Sequence, residues 1–418
     1  MVAVLIPLAG AFAMCGRTGT EPTSHAESPG LQEPTASSIA AGPRSAITCP
    51  VAAVRIAIGA DIQAAVEARP GNTTFCLERG VHKLGGPITP RTGDVFVGEY
   101  GAVLDGSGWT SADQNQGAFR AQDQNVDNVT IRNLVIRRMP QKGIHAFPLA
   151  SGWTIEYNEV AENRTGIAAP DRSMVRHNYI HHNTAGGYSA FRAVGTTFEG
   201  NEIAHNGGEQ KIVRTRDVVF RNNFVHHNVA DGIWYDAENT GSLIEGNRVE
   251  DNGREGISYE ISGQGVIRTN AVRRNATTGI FISTSKDVEI SDNIIEDNLR
   301  GIQYFLNCAA LSDGFDLANN TAHGNVVVVA SRKDAYASGF AHLSSCSPMQ
   351  VEPYLSGKKN LAFRATRYRV PAAGAKYWFW GYSTLRSVTD TFSWGTGSVK
   401  SWTEWQALGH DVDGIVSQ

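Results

Sequence analysis

A basic excess is missing from this sequence: 37 Lys and Arg stand against 41 Asp and Glu, a formal net charge of −4. Without a positive face there is no electrostatic footprint for nucleic acid, and that class of partner is set aside. Long hydrophobic runs are missing too. The first apolar stretch, Val2 to Met14, is too short to span a bilayer and has the length of a signal-peptide core. Proline is scarce, with 15 residues beside 44 glycines, a balance that favours a fold with many turns. Cysteine is scarcer still, limited to Cys15, Cys49, Cys76, Cys308 and Cys346.

Those few cysteines argue for export. Cys49 and Cys76 flank the start of the folded region and Cys308 and Cys346 flank a late insertion, so bridges 49–76 and 308–346 are the simplest of three pairings. Cys15 is left over. It follows the apolar run and precedes Gly16 to Ala46, a stretch rich in Ser, Thr, Pro, Ala and Gly that reads as unfolded linker. A bacterial lipoprotein carries its lipidated cysteine at such a place, although Phe12-Ala13-Met14 departs from the usual Leu followed by small residues. Secretion without an anchor is the other expectation. Either way the chain is exported, and it meets a membrane only through that anchor.

The expected division is a signal peptide or lipoprotein signal over 1–15, a flexible linker over 16–47, a repeat region over 48–330 and an aromatic-rich C-terminal cap over 331–418. The repeat is the strongest feature. Two asparagines five residues apart recur eight times: Asn158/Asn163, Asn178/Asn183, Asn201/Asn206, Asn223/Asn228, Asn247/Asn252, Asn270/Asn275, Asn293/Asn298 and Asn320/Asn325. Successive pairs are 20, 23, 22, 24, 23, 23 and 27 residues apart. A Gly and an apolar residue usually follow, as in Gly232-Ile233, Gly256-Ile257, Gly279-Ile280 and Gly301-Ile302.

A unit this short holds two or three brief strands and no helix, so it closes one coil whose strands pair with their equivalents ~4.8 Å above and below. The isoleucines then stack inside, and the asparagines form ladders of side-chain amides. That placement makes glycans on the sequons at Asn163 and Asn275 unexpected. His182, His205 and His227 each precede a ladder asparagine; spread over rungs ~4.8 Å apart, they read as a turn ladder rather than ligands of one ion. The tail holds Trp378, Trp380, Trp394, Trp402 and Trp405, five of eight tryptophans, read as an end cap with a sugar-stacking platform as the alternative.

At the other end, Asp61-Ile62-Gln63-Ala64-Ala65-Val66 forms a short amphipathic helix before the first strand, Thr73 to Leu77. This arrangement resembles the start of the pectate-lyase-like superfamily, and the resemblance extends from Asp61 to about Val329. It implies an all-β, single-stranded right-handed parallel β-helix with an N-terminal capping helix. With both ends covered, a monomer is expected. The superfamily spans lyases, hydrolases, epimerases, esterases and adhesins, so function has to come from the site.

Aligning coils on their second asparagine sets Asp231-Gly232-Ile233-Trp234-Tyr235-Asp236 over Glu255-Gly256-Ile257-Ser258-Tyr259-Glu260. With Ile233 and Tyr235 inward, Trp234 and Asp236 face out, Glu260 stacks on Asp236, and Lys211 lies beneath Trp234. Glu209, Arg214 and Glu238 border this face. The equivalent later positions are Phe281 and Ser283, then Gln303 and Phe305, so the charge is local. Stacked carboxylates need a proton, a cation or a metal.

In a lyase or epimerase acting on a uronate-containing polysaccharide, Lys211 would be the base and Asp236 and Glu260 ligands of Ca²⁺. In a glycoside hydrolase, Asp236 and Glu260 would divide the acid and base or nucleophile roles. In a non-catalytic module they would bind sugar hydroxyls beside Trp234. Elimination on an extended polysaccharide is the leading expectation.

Overall fold

The structure is a computed structural model and describes residues 41–121, 125–147, 149–313, 315–382 and 398–418. Short strands, most of three or four residues, alternate with turns that repeatedly place a non-glycine residue at positive φ, among them His182, His205, Asn222 and His227. Coil after coil sends one strand into each of three sheets of 13, 13 and 12 strands, parallel except where Val399–Lys400 pairs antiparallel with Trp378–Tyr382 at the end of the third. The expected right-handed parallel β-helix is thereby borne out. Register is kept residue by residue: Ile233, Ile257, Ile280 and Ile302 are successive partners in the third sheet, and all are fully buried.

The asparagines do what stacked amides can do. Asn223 Nδ2 donates to Asn247 Oδ1 at 3.0 Å and to the Phe198 carbonyl at 3.0 Å, while Asn247 Oδ1 also accepts from the Asn223 backbone N–H at 2.9 Å. Each amide thus closes bonds upward, downward and to a turn. Asn163 and Asn275 lie inside this network, at 1% and 0% exposure. The eighth pair differs from the expectation. Asn325 bonds to Asn293, the first asparagine of its pair, and Asn320 accepts from the Val288 N–H. A 3-10 turn at Ala310–Asp313 and the loop around it lengthen that coil, so spacing along the chain no longer reports position in the stack.

Helix α1, Ile62–Glu67, covers the first coil with Ile62 and Val66 buried, and Asp61 caps it by accepting from the Ala64 N–H at 3.0 Å. The linker read over 16–47 ends earlier: Gly42 donates to the His177 carbonyl and Arg44 N–H to Asn133 Oδ1, next to Leu134, whose N–H begins the first ladder by donating to Asn158 Oδ1. The disulfides Cys49–Cys76 and Cys308–Cys346 are formed, as expected of an exported chain. Cys15 and the rest of 1–40 lie outside the described residues.

Past residue 330 the coil continues, because Leu361–Arg364, Arg367–Arg369 and Trp378–Tyr382 pair in parallel with the strands below. The fading asparagine rhythm marks the end of the ladders, not of the coil. Helices α2, Pro348–Leu355, and α3, Trp402–Ala407, decorate this end. Trp378, Trp380 and Trp405 are buried in it, and Trp405 Nε1 and Tyr368 Oη both donate to Asp411 Oδ2. They serve as end packing; Trp394 lies outside the described residues.

Candidate functional site

Alternation along the third sheet decides which side chains leave the coil. One outward row runs Lys211, Trp234, Ser258, Phe281, Gln303 and the next runs Asp236, Glu260, Ser283, Phe305. The sequence reading of this face therefore holds in register. Asp236 lies directly below Glu260, and Lys211 Nζ reaches Asp236 Oδ2 at 3.1 Å and Glu209 Oε2 at 3.2 Å. Among the described residues Arg214 and Glu238 form ion pairs only with each other, at 3.2 Å, in the exposed turn beyond the sheet.

Trp234 needs correction. It points outward but is 6% exposed, with Lys211 Nζ 3.8 Å and Arg254 5.1 Å from its ring centroid. It offers no open face for a sugar; the two cations take that role on the ring.

Four further residues complete the cluster. Asp231 and Glu255 stand just before their strands on successive rungs, at 1% and 2% exposure. Ser258 Oγ donates to Asp231 Oδ1 at 2.6 Å, and Arg254 Nε lies 3.5 Å from Asp231 and 3.6 Å from Glu255. The alignment that paired Asp236 with Glu260 also pairs Asp231 with Glu255. These two precede the alternating strand, however, so a period of two cannot say where their side chains go.

Electrostatics follows from the packing. Burial first, then the charges of Asp236, Asp231 and Glu255, holds the Glu260 carboxyl well above the ordinary carboxylate range. Asp231 is raised by burial and by Glu255. Burial alone would lower Lys211, but Asp236 and Glu209 outweigh it and raise the ammonium. A raised ammonium locked between two carboxylates is a poor base.

Calcium between Asp236 and Glu260 also fits badly. Ca²⁺ takes six to eight oxygens, and Asp236 Oδ2 is already held by Lys211. Among the described residues, groups with three metal-ligating side chains in reach of one another do not include these carboxylates.

Residues 118–260 match the family described as Right handed beta helix region, and residues 195–338 match the family described as Periplasmic copper-binding protein (NosD). No curated protein sequence matches the chain. Among solved structures, the chain is similar to the A-modules of two Azotobacter vinelandii mannuronan C-5 epimerases. One has a TM-score of 0.61 at 19% identity, covering 85% of this chain and 94% of the other. The second has a TM-score of 0.56 at 19% identity, covering 85% and 92%. The catalytic unit of a thermostable α-1,3-glucanase from Streptomyces thermodiastaticus is similar at a TM-score of 0.59 and 15% identity, covering 91% and 70%. At such identities the likeness is one of fold. The chain is a right-handed parallel β-helix protein whose coils match, over residues 118–260, the right handed beta helix region family.

Proposed function

We propose that the chain is an exported glycoside hydrolase acting on an extended, neutral polysaccharide laid along the third sheet. The observation that carries this is the pair Asp236 and Glu260 on adjacent rungs, one ion-paired to Lys211 and the other raised by burial. A carboxyl kept protonated by burial beside one held by a lysine divides the work into an acid and a base or nucleophile. Protonated Glu260 donates to the glycosidic oxygen as the C–O bond breaks. Asp236, oriented by Lys211, attacks the anomeric carbon, and Glu260 then deprotonates the water that releases the sugar.

Adjacent rungs set the backbones ~4.8 Å apart, near the ~5–5.5 Å carboxyl spacing of retaining enzymes. With the Glu260 and Asp231 carboxyls both raised, Glu209, Asp236 and Glu255 still outnumber Lys211 and Arg254 here, which favours a neutral chain over a polyuronate. Elimination from Lys211 and a lipid anchor at Cys15 are the less supported expectations.

The test incubates the protein with neutral and uronate polysaccharides and follows reducing ends alongside the ultraviolet absorbance of unsaturated uronate. New reducing ends without absorbance, lost in Glu260→Gln and Asp236→Asn and with the anomer retained by NMR, are expected. Absorbance lost in Lys211→Ala would establish elimination instead. Neither signal would leave a binding module.

A further inference from the structure

We propose that His205, His226 and His227 bind one divalent transition-metal ion of the Zn²⁺ or Cu²⁺ class at the turn leading from the second sheet into the third. The three residues each offer a ring nitrogen, and these atoms lie within 4.8 Å of one another. The ladder of His182, His205 and His227 is present, with ring centroids 5.1 and 5.2 Å apart. Rung spacing would keep those three from meeting on one ion. His226 changes the geometry, because it stands beside His227 on the same rung, with Nδ1 2.8 Å from the Nδ1 of His227. Only one rung then has to be crossed, to His205.

Ligand nitrogens at ~2.0–2.1 Å from a tetrahedral ion lie ~3.4 Å apart, so the gap closes by turning the exposed His205 and His227 rings. His226 needs no such movement. Phe224 stacks on its ring at 4.0 Å between centroids. Glu202, one rung below, lies 3.4 Å from its Nε2. A carboxylate on the distal nitrogen fixes the tautomer that leaves Nδ1 as the ligand atom. Three neutral imidazoles with no thiolate suit Zn²⁺ or Cu²⁺ rather than Ca²⁺ or Mg²⁺, and water completes the coordination on the exposed side. The His181–His182 pair repeats the Nδ1 contact at 2.7 Å. The rung between the two pairs carries Ala204 at the position of His181 and His226, so His205 stands between two histidine pairs, and among the described residues it is with the upper pair that three ring nitrogens come within reach of one another.

The experiment titrates the untagged, chelator-stripped full chain with Zn²⁺ by calorimetry and with Cu²⁺ by electron paramagnetic resonance. His205 and His227 sit at φ 56° and 53°, a region asparagine tolerates, so His205→Asn and His227→Asn keep the turn; circular dichroism verifies this. Saturation at one ion per chain with nitrogen hyperfine structure is expected. Affinity should fall about tenfold or more in His205→Asn, His226→Asn and His227→Asn, and about 10- to 100-fold in Glu202→Gln, while His182→Asn binds as the parent does. No saturable binding overturns the site. So does binding unchanged in His226→Asn, or a loss in His182→Asn equal to that in His227→Asn.

Discussion

Two kinds of polar stack run along this coil, and they behave oppositely. Asparagine stacked on asparagine is self-complementary: each amide carries both a donor and an acceptor, and Asn223, Asn247 and Asn270 bond rung to rung while fully buried. Carboxylate stacked on carboxylate has only acceptors. Asp231, Glu255, Asp236 and Glu260 therefore depend on Ser258, Arg254 and Lys211, and where those run out a proton has to be held. The first stack repeats along the coil because repetition satisfies it. The second is confined to two rungs because repetition would only add charge, and the proposed hydrolysis rests on that confinement.

Breaking the first stack should have the largest effect. Asn247→Ala removes the acceptor of the Asn223 N–H and the donors to the Phe220 carbonyl and Asn270 Oδ1. At about 1–3 kcal/mol for each buried group left without a partner, a loss on the order of 3 kcal/mol or more is expected in denaturant unfolding. A change below 1 kcal/mol would mean that water enters the turn and the ladder is dispensable.

The second stack should respond with the opposite sign. Because folding raises the Glu260 pKa, its contribution to stability is complete below the unfolded value of 4.5 and is lost as pH rises towards the folded value. Glu260→Gln removes the titration, so the variant should melt with the parent at pH 4 and above it at pH 8, while losing activity. A variant less stable at pH 8 would show that the carboxylate is satisfied there. Asp105, buried with Lys83, Arg137 and Arg138 around it, is the control. Its pKa lies below the usual range because the Ser107 N–H and hydroxyl and Arg138 overcome the burial that would raise it. It stabilises above the unfolded pKa of 3.8 and loses that contribution as pH falls through the folded value, so Asp105→Asn should destabilise at neutral pH.

Period made most of this fold readable. Asparagine pairs, following glycines and inward isoleucines repeat at one interval, and the register of Asp236 under Glu260 follows from that interval alone. Reading failed where period stops carrying information. The loop before Asn320 broke the count of the eighth pair. Trp234 was placed on the correct face, but its burial depends on Lys211 and on Arg254 from the turn above, and side-chain cover has no signature in alternation. Asp231, Glu255 and Arg254 carry no signal of this kind, because turn residues obey no period of two. The histidine triad has no signature in the ladder spacing, because His226 ends the preceding strand and stands outside the ladder positions.

The smallest effect expected is at the border of the charged face. Arg214 Nε and Nη2 both lie 3.2 Å from Glu238 Oε1, and the two side chains are 42% and 50% exposed. Such pairs contribute about 0–1 kcal/mol and are screened by salt, and neither residue touches Lys211, Asp236 or Glu260 through any ion pair in the structure's described residues. Glu238→Gln should therefore leave the melting temperature unchanged at physiological salt and the turnover of the glycan within about twofold of the parent. A loss of more than tenfold in kcat/KM with an unchanged melting curve would place the sugar chain across the turn beyond the third sheet. The charged face would then extend past the two rungs to which the carboxylate stack confines it.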